Sequence, residues 1–519
     1  MTDTAAPIPE MTHRQRQVII IGLMTGLLLA ALDGTIVATA LPTIVGEFGG
    51  IDRLSWVVTA YLVASTTSMP LFGKISDLYG RKRVYQAAII IFIVASVLCG
   101  ASQNIEQLIA FRALQGIGGG GLFVLTFTIV GDIVPARERG RYQGYLSSTF
   151  ALASVLGPLA GGFITDELSW RWVFYVNVPV GIAALVATTV VLKLPRMRTD
   201  HSLDIAGSVL LVTSIVACLL ATVWASTEYG WSAPSTIILY LLSVVTLVAF
   251  IAQERRAPEP VLPLRMFNRA GFGASVLVSF LAGAAMFGSI VYLPLFFQGV
   301  QGKGATNAGL LLLPLMLSLT MGSLLAGRLT TYTGRYRIYP IIGTPIATLG
   351  LYLLSTIEPS TSRLESGVYM VIMGLGIGMV LPVLTLAIQN TVEARDLGAG
   401  TAAANFFRTL GGTLGVAILG TILNSQLNSG LDDQLAGIEL PGGVAPADLA
   451  QDPTAIASLP DTLRDAVTFA LSDAVTFTFL IAAFVMLAAF VVSFFIREVE
   501  LKSASTITGI SEQPVEPSS

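Results

Sequence analysis

Gly73-Lys-Ile-Ser-Asp77-Leu-Tyr-Gly80-Arg81-Lys-Arg83 is a short polar stretch set between two long apolar runs, and its frame returns 254 positions later. There it reads Gly327-Arg-Leu-Thr-Thr331-Tyr-Thr-Gly334-Arg-Tyr-Arg337, with both glycines and three basic positions in register. At the same offset Ala31-Leu-Asp33-Gly-Thr-Ile-Val37 aligns with Ala285-Met-Phe287-Gly-Ser-Ile-Val291, and Gly157 and Gly161 align with Gly411 and Gly415. The chain is therefore a tandem repeat. Small residues persist in both copies, whereas Asp33 becomes Phe287 and Asp77 becomes Thr331. Residues kept twice read as scaffold, and charge kept once reads as chemistry.

Composition fixes the class. Of 519 residues 54% are hydrophobic and only 12% charged, against about a quarter charged in soluble domains, and the mean hydropathy is +0.76. This is the make-up of an all-α integral membrane protein with many spans. Cys99 and Cys218 both lie in apolar runs, so neither a disulfide framework nor a metal site is read. A net charge of −3, with basic residues scattered over many short loops, gives no patch for nucleic acid. There is no Walker A loop for ATP, no catalytic constellation is assigned, and the chain is not read as an enzyme. No cofactor is expected beyond an ion gradient.

Residues 1–16 are polar and read as a tail. Apolar runs of about the roughly 20 residues that cross hydrocarbon fall at 17–41, 54–73, 84–102, 107–132, 141–165 and 173–193, forming a first six-helix bundle over 17–193. Two runs without a counterpart in the repeat, 204–225 and 235–252, lie within 194–269. A second bundle, 270–496, holds runs at 270–297, 306–330, 337–356, 365–389, 397–423 and 472–496, and 497–519 is a second tail. The expectation is two six-helix halves plus two inserted helices, 14 transmembrane helices in all. Most of the 29 Lys and Arg fall in alternate loops, which places both termini in the cytoplasm by the positive-inside rule. The Pro-rich segment 424–471 is then external.

Four stretches carry a resemblance to a family. Gly73–Arg83 resembles the loop between helices 2 and 3 of the major facilitator superfamily. Leu108-Ile-Ala-Phe-Arg112-Ala-Leu-Gln115-Gly116 resembles its helix 4 arginine motif, and Gly157-Pro158-Leu-Ala-Gly161-Gly162 its helix 5 antiporter motif. Leu32-Asp33-Gly-Thr35-Ile-Val37 through Leu41-Pro42 is similar to the helix 1 signature of the fourteen-span drug:proton antiporter group. The resemblance covers about residues 17–496. Ala38, where the group usually has Asn, and Leu78, where a basic residue is usual, depart from the pattern. The fold implied is the major facilitator fold. The function implied is a proton-coupled exporter of amphipathic drugs or toxic compounds in the cell membrane, working as a monomer. Export of a lipid or native metabolite is the alternative, and a membrane sensor or scaffold without transport the more distant one.

Each motif has a physical reading. Asp33 falls mid-span, where a carboxylate costs roughly 2.5–3.5 kcal/mol by insertion scales. Arg112 shares its helix face with Gln115, Gly119, Phe123 and Thr126, and in the second copy, realigned at offset 258, it becomes Met370. The pair is either a static buried ion pair or a proton site. Burial favours a neutral carboxyl group and a guanidinium favours the ionised one, so a change in their separation would load and release a proton. Gly73, Asp77, Gly80 and Arg81, with Asp132 at the inner end of helix 4, have the make-up of a charge latch. The small residues Gly157, Pro158, Gly161 and Gly162 let another helix approach closely, while a bearing on antiport is implied by the resemblance alone. Asn405 and Arg408 share a face, with Arg408 either lining a cavity or snorkelling to the boundary. Phe287, Tyr292, Phe296 and Phe297 offer aromatic faces to a ligand or else pack ordinarily.

Overall fold

The computed structural model describes residues 13–48, 54–192, 204–227, 229–303, 305–393, 396–434 and 460–501. Among these, helix is the only regular structure. The first half comprises α1 (His13–Phe48), α2 (Leu54–Tyr79), α3 (Arg81–Gly100), α4 (Ile105–Ile133), α5 (Ala136–Glu167), α6 (Trp172–Tyr175) and α7 (Asn177–Val191). The unrepeated pair is α8 (Ile205–Thr227) and α9 (Pro234–Glu254). The second half comprises α10 (Phe272–Leu295), which runs into a π-helical turn at Phe296–Val300, and α11 (Ala305–Leu311), α12 (Leu313–Thr333) and α13 (Ile338–Leu354). It continues with α14 (Arg363–Thr391), α15 (Leu397–Gln434) and α16 (Asp461–Ser493).

Eleven helices among the described residues are long and apolar enough to cross a membrane, which makes this a multi-pass membrane protein. The count differs from the fourteen read from sequence for local reasons. α2 carries the hydroxyl run Ser65-Thr-Thr-Ser68, α5 opens on the charged turns Arg137-Glu-Arg-Gly-Arg141, and α13 has only 17 residues. The loop read as 424–471 is also shorter at both edges, because α15 continues to Gln434 and α16 begins at Asp461. Its centre, like most of both tails and the linker after α7, lies outside the described residues.

The repeat in sequence is a repeat in packing. Asn104 caps α4 by accepting from the Gln107 N–H at 2.9 Å, and Ser362, its counterpart at offset 258, caps α14 by accepting from the Glu365 N–H at 3.2 Å. Each supplies a partner to an N-terminal amide that the helix itself leaves unpaired. Along α4, Gly116 and Gly120 rest on the Tyr61 and Ser65 carbonyls of α2 while Gly118 rests on the Phe92 backbone of α3. Their counterparts Gly374 and Gly378 rest on the Leu315 and Leu319 carbonyls of α12, and Gly376 on the Ala347 backbone of α13. A methyl group at any of these positions would overlap main chain. In lipid no hydrophobic force drives helices together, so such close backbone approach is what holds each trio.

α8 lies in one apolar cluster with α2 and α15, through Leu211, Ile215 and Leu219 beside Val63, Ala403 and Phe406. α9 covers the outside, with Ile238, Leu241 and Val248 exposed. The inserted pair thus flanks one seam between the halves.

Candidate functional site

Asp33 is fully buried and ion-paired to the Arg112 Nη1 at 2.5 Å. Its Oδ1 accepts from Gln115 Nε2 and from Asn177 Nδ2, both at 2.8 Å. Arg112 in turn donates to Gln115 Oε1 at 2.6 Å and to the Val57 carbonyl at 3.3 Å, and its guanidinium stacks on Tyr61 at 4.3 Å from the ring centroid. Ser96 on α3 accepts from Gln115 at 2.7 Å. Five elements of the first half thus converge on one carboxylate. Removing one member of such a buried pair costs about 3–5 kcal/mol, because the other charge is left uncompensated. Gly34, next along α1, has nothing within 4 Å of where a Cβ would stand, so the sealed pair sits one residue from open space.

The two halves join at the end of the bundle that carries Gly80. Asp77 pairs with Arg81 at 2.5 Å and Arg81 with Asp132 at 2.7 Å, and Asp77 also accepts from the Gly398 and Ala399 N–H groups at 3.2 and 3.1 Å. A first-half carboxylate therefore caps the start of α15, a second-half helix, where unpaired amides and the helix dipole favour negative charge. Gly73 lets the helices meet, since a Cβ there would stand 2.5 Å from Ala402 Cβ and 2.8 Å from the Gly398 carbonyl. On the opposite seam α5 meets α12 with Gly140 against Gly327. Between the seams, Gln389 of α14 donates to the Phe127 carbonyl at 3.2 Å and accepts from Gln143 at 3.4 Å. Arg16 near the start of α1 and the segment after α16 lie here too, since Arg16 reaches Glu138 and Asn390 donates to the Val499 and Glu500 carbonyls.

The other predicted residues divide. A Cβ on Gly157 would overlap Thr35, whose hydroxyl donates to the Ala153 carbonyl at 3.1 Å, so this glycine brings α5 onto α1 two residues from Asp33. Gly162 meets nothing within 4 Å of a Cβ, Gly161 is buried, and the Pro158 side chain lies outside the described set. Gln115 belongs wholly to the Asp33 network. Tyr292, Phe296 and Phe297 are buried in the second half's core, with the Tyr292 hydroxyl donating to the Val416 carbonyl at 2.6 Å. Phe287 is half-buried against Gly412. Arg408 points across to the first half, over Phe123 at 5.1 Å and Phe127 at 5.9 Å, and donates to Asn405 at 2.9 Å.

Sequence reading missed several partners. Asn177, one polar residue within an otherwise apolar run, was the legible signal for a further ligand of Asp33. Lys74 pairs with Glu259 at 2.7 Å, tying α2 to the segment after α9, and Arg265 of that segment pairs with Asp396 at 2.8 Å, just before α15. The inserted pair is thereby strapped to both halves.

The family model of the Major Facilitator Superfamily matches residues 23–416. "Multidrug resistance protein 3" of Bacillus subtilis is 36% identical over 94% of this chain and 97% of its own length. "Multidrug transporter protein MdtP" of the same organism is 39% identical over 82% of this chain and 79% of its own length. The solved proton:xylose symporter XylE has the same fold at a TM-score of 0.63 and 15% identity, with 95% of this chain and 98% of that one covered. Two repeated bundles, a joined seam and a family match over most of the length lead to one assignment: the chain is a member of the Major Facilitator Superfamily.

Proposed function

We propose that this transporter is a proton-coupled exporter of amphipathic drugs or toxic compounds, an antiporter of the fourteen-span kind. In this reading α2, α5 and α13 also span the membrane, the joined end faces the cytoplasm with both termini, and the proton gradient of the cell membrane is the fuel. The naming of two relatives as multidrug proteins supports the cargo class, and no soluble output or enzymatic unit is needed. The observation that carries the proton step is the buried Asp33–Arg112 pair, present in one repeat and replaced by Phe287 and Met370 in the other.

The mechanism follows from the partners of Asp33. A proton on its carboxyl group removes the charge that holds Arg112, while Gln115 of α4 and the Val57 carbonyl and Tyr61 ring of α2 retain the guanidinium. α1 is then free to shift against α4. Gly157 couples α1 to α5, and α5 meets α12 at the Gly140–Gly327 contact, so the seam is where a shift of α1 becomes alternating access. Proton and substrate drive each other only by preferring different states.

Asp33→Asn tests this reading in proteoliposomes under an imposed pH jump. The amide is nearly isosteric and does not titrate near neutral pH, so uphill transport is lost completely while downhill substrate exchange remains. Substrate-induced proton release that persists in Asp33→Asn removes Asp33 as the proton carrier.

A further inference from the structure

Arg408 is a charge that the proton site does not use. It stands about 16 Å along α15 from Leu397, three turns in from the joined end. It faces the other half: Phe123 and Phe127 of α4 lie under its guanidinium, and Phe150 of α5 packs on Phe123 with ring centroids 5.5 Å apart. Asn405 aims the fork, since its Oδ1 accepts from Arg408 Nη2 at 2.9 Å while its own amide donates to the Thr401 carbonyl at 2.9 Å. Among the described residues no carboxylate pairs with Arg408, and its Nε and Nη1 are not among the sealed, unpartnered donors. Arg408 is half-buried, and its one described hydrogen bond, from Nη2 to Asn405, leaves the Nη1 end of the guanidinium without a described partner.

Resting on the transport reading above, we infer that Arg408 is the head-group subsite and that the preferred cargo is an amphiphile with one anionic group, a carboxylate, sulfonate or phenolate, on an aromatic body. The carboxylate that would attract a cation, Asp33, is sealed and neutralised by Arg112, and it lies about 16 Å away along α4, the rise from Arg112 to Phe123. A cationic drug entering beside Phe123 meets like charge. An anionic one gains charge-assisted hydrogen bonding from the Nη1 end of the guanidinium, while its rings extend the Phe123–Phe127–Phe150 cluster. Arg408 thus sets specificity by the sign of the head group.

Three probes on one ring system separate charge from hydrophobicity: 1-pyrenebutyrate, its primary amide and 4-(1-pyrenyl)butylamine. Binding is measured at pH 7.5 to the full chain in nanodiscs of zwitterionic lipid. The butyrate binds at least about tenfold tighter than the amine, and Arg408→Gln removes that preference while amide binding stays within about threefold. Arg408→Lys retains part of it. Asn405→Ala, which frees the fork but keeps the charge, weakens the butyrate alone by about threefold or more. An amine that binds as tightly as the butyrate, or butyrate affinity unchanged in Arg408→Gln, overturns the inference. Uptake of the probes into inverted vesicles separates the two readings: uptake of amine without butyrate sinks the anion subsite and leaves transport standing. Arg408-dependent butyrate binding with no uptake of any probe leaves the subsite and sinks transport.

Discussion

The two copies of the Gly73–Arg83 frame share a backbone and differ in what they hold. Gly80 and Gly334 both turn with positive φ, at 90° and 70°, a region that side chains other than Gly rarely enter. The first loop then reaches across the molecule, with Asp77 on the opening amides of α15. The polar bonds described for the second lie within its own half. The N–H groups of Tyr336 and Arg337 donate to Glu498 at 2.7 and 3.2 Å, the Tyr336 hydroxyl donates to the Arg497 carbonyl, and Thr331 donates back to the Gly327 carbonyl of its own helix. Duplication therefore supplied one turn twice, and single charges decided which partner each turn found. One seam has glycine packing plus a carboxylate on a helix terminus. The other is held at the matching contact by Gly140 on Gly327.

The largest effect should come from what both seams share. Gly73→Leu and Gly327→Leu each put side-chain atoms into main chain of the opposite half, where a Cβ would already stand 2.8 Å from the Gly398 carbonyl or 2.1 Å from that of Gly140. Overpacking of this kind costs about 1–3 kcal/mol or more when backbone must move, so the joined end opens by up to about a hundredfold in population. A cysteine replacing Thr401, fully buried at this end, in a background lacking Cys99 and Cys218, reads the opening through its rate of maleimide labelling. Both glycine variants should accelerate labelling; wild-type rates in either would mean that the tight contact at that seam does not seal this end.

Asp77→Ala separates the seams. It removes two backbone hydrogen bonds and an ion pair from one of them, and a charged hydrogen bond is worth about 1.5–3 kcal/mol, so labelling at Thr401→Cys should rise roughly tenfold to a hundredfold. Equilibrium substrate binding persists, because the mid-span residues are untouched and only the weighting of states changes. Transport falls. Labelling equal to wild type would reduce the loop to a topology signal.

How much of this was legible follows from the kind of contact. Glycines at fixed offsets announced the repeat, because a close helix approach demands the same small residue in each copy, whereas which helices those of α4 and α14 meet emerges only in the fold. Asp33 and Arg112 could be singled out because a charge in one copy and an apolar residue in the other stands out against a shared scaffold. The cross-half partners of Asp77 could not be read, since they are main-chain amides more than 300 residues away, and any sequence supplies those. Tyr292 and Phe287 look alike in an apolar run, yet one ends in the core and the other half-buried, a difference set by the rotation of α10 against α15. Arg408 left two directions open for the same reason. α15 and α16 run beyond the apolar stretches that mark a span because the polar turns at 424–434 and 461–471 remain helical.

The smallest effect is the sharpest control. Thr331 occupies in the second loop the place of Asp77 in the first, half-buried, with its hydroxyl donating to the Gly327 carbonyl at 2.9 Å. That bond lies within α12, and the hydroxyl carries no charge. With no charge to lose, Thr331→Ala should change stability by no more than about 0.5 kcal/mol, as for substitutions away from charge networks, and labelling at Thr401→Cys by about twofold at most. The comparison between loops rests on this asymmetry. If Thr331→Ala accelerated labelling as strongly as Asp77→Ala, the discriminating feature would be the position in the turn and not the carboxylate. If only Asp77→Ala does so, the joined end is released from the α2–α15 side first, because the α5–α12 side has no charge at the matching position to lose.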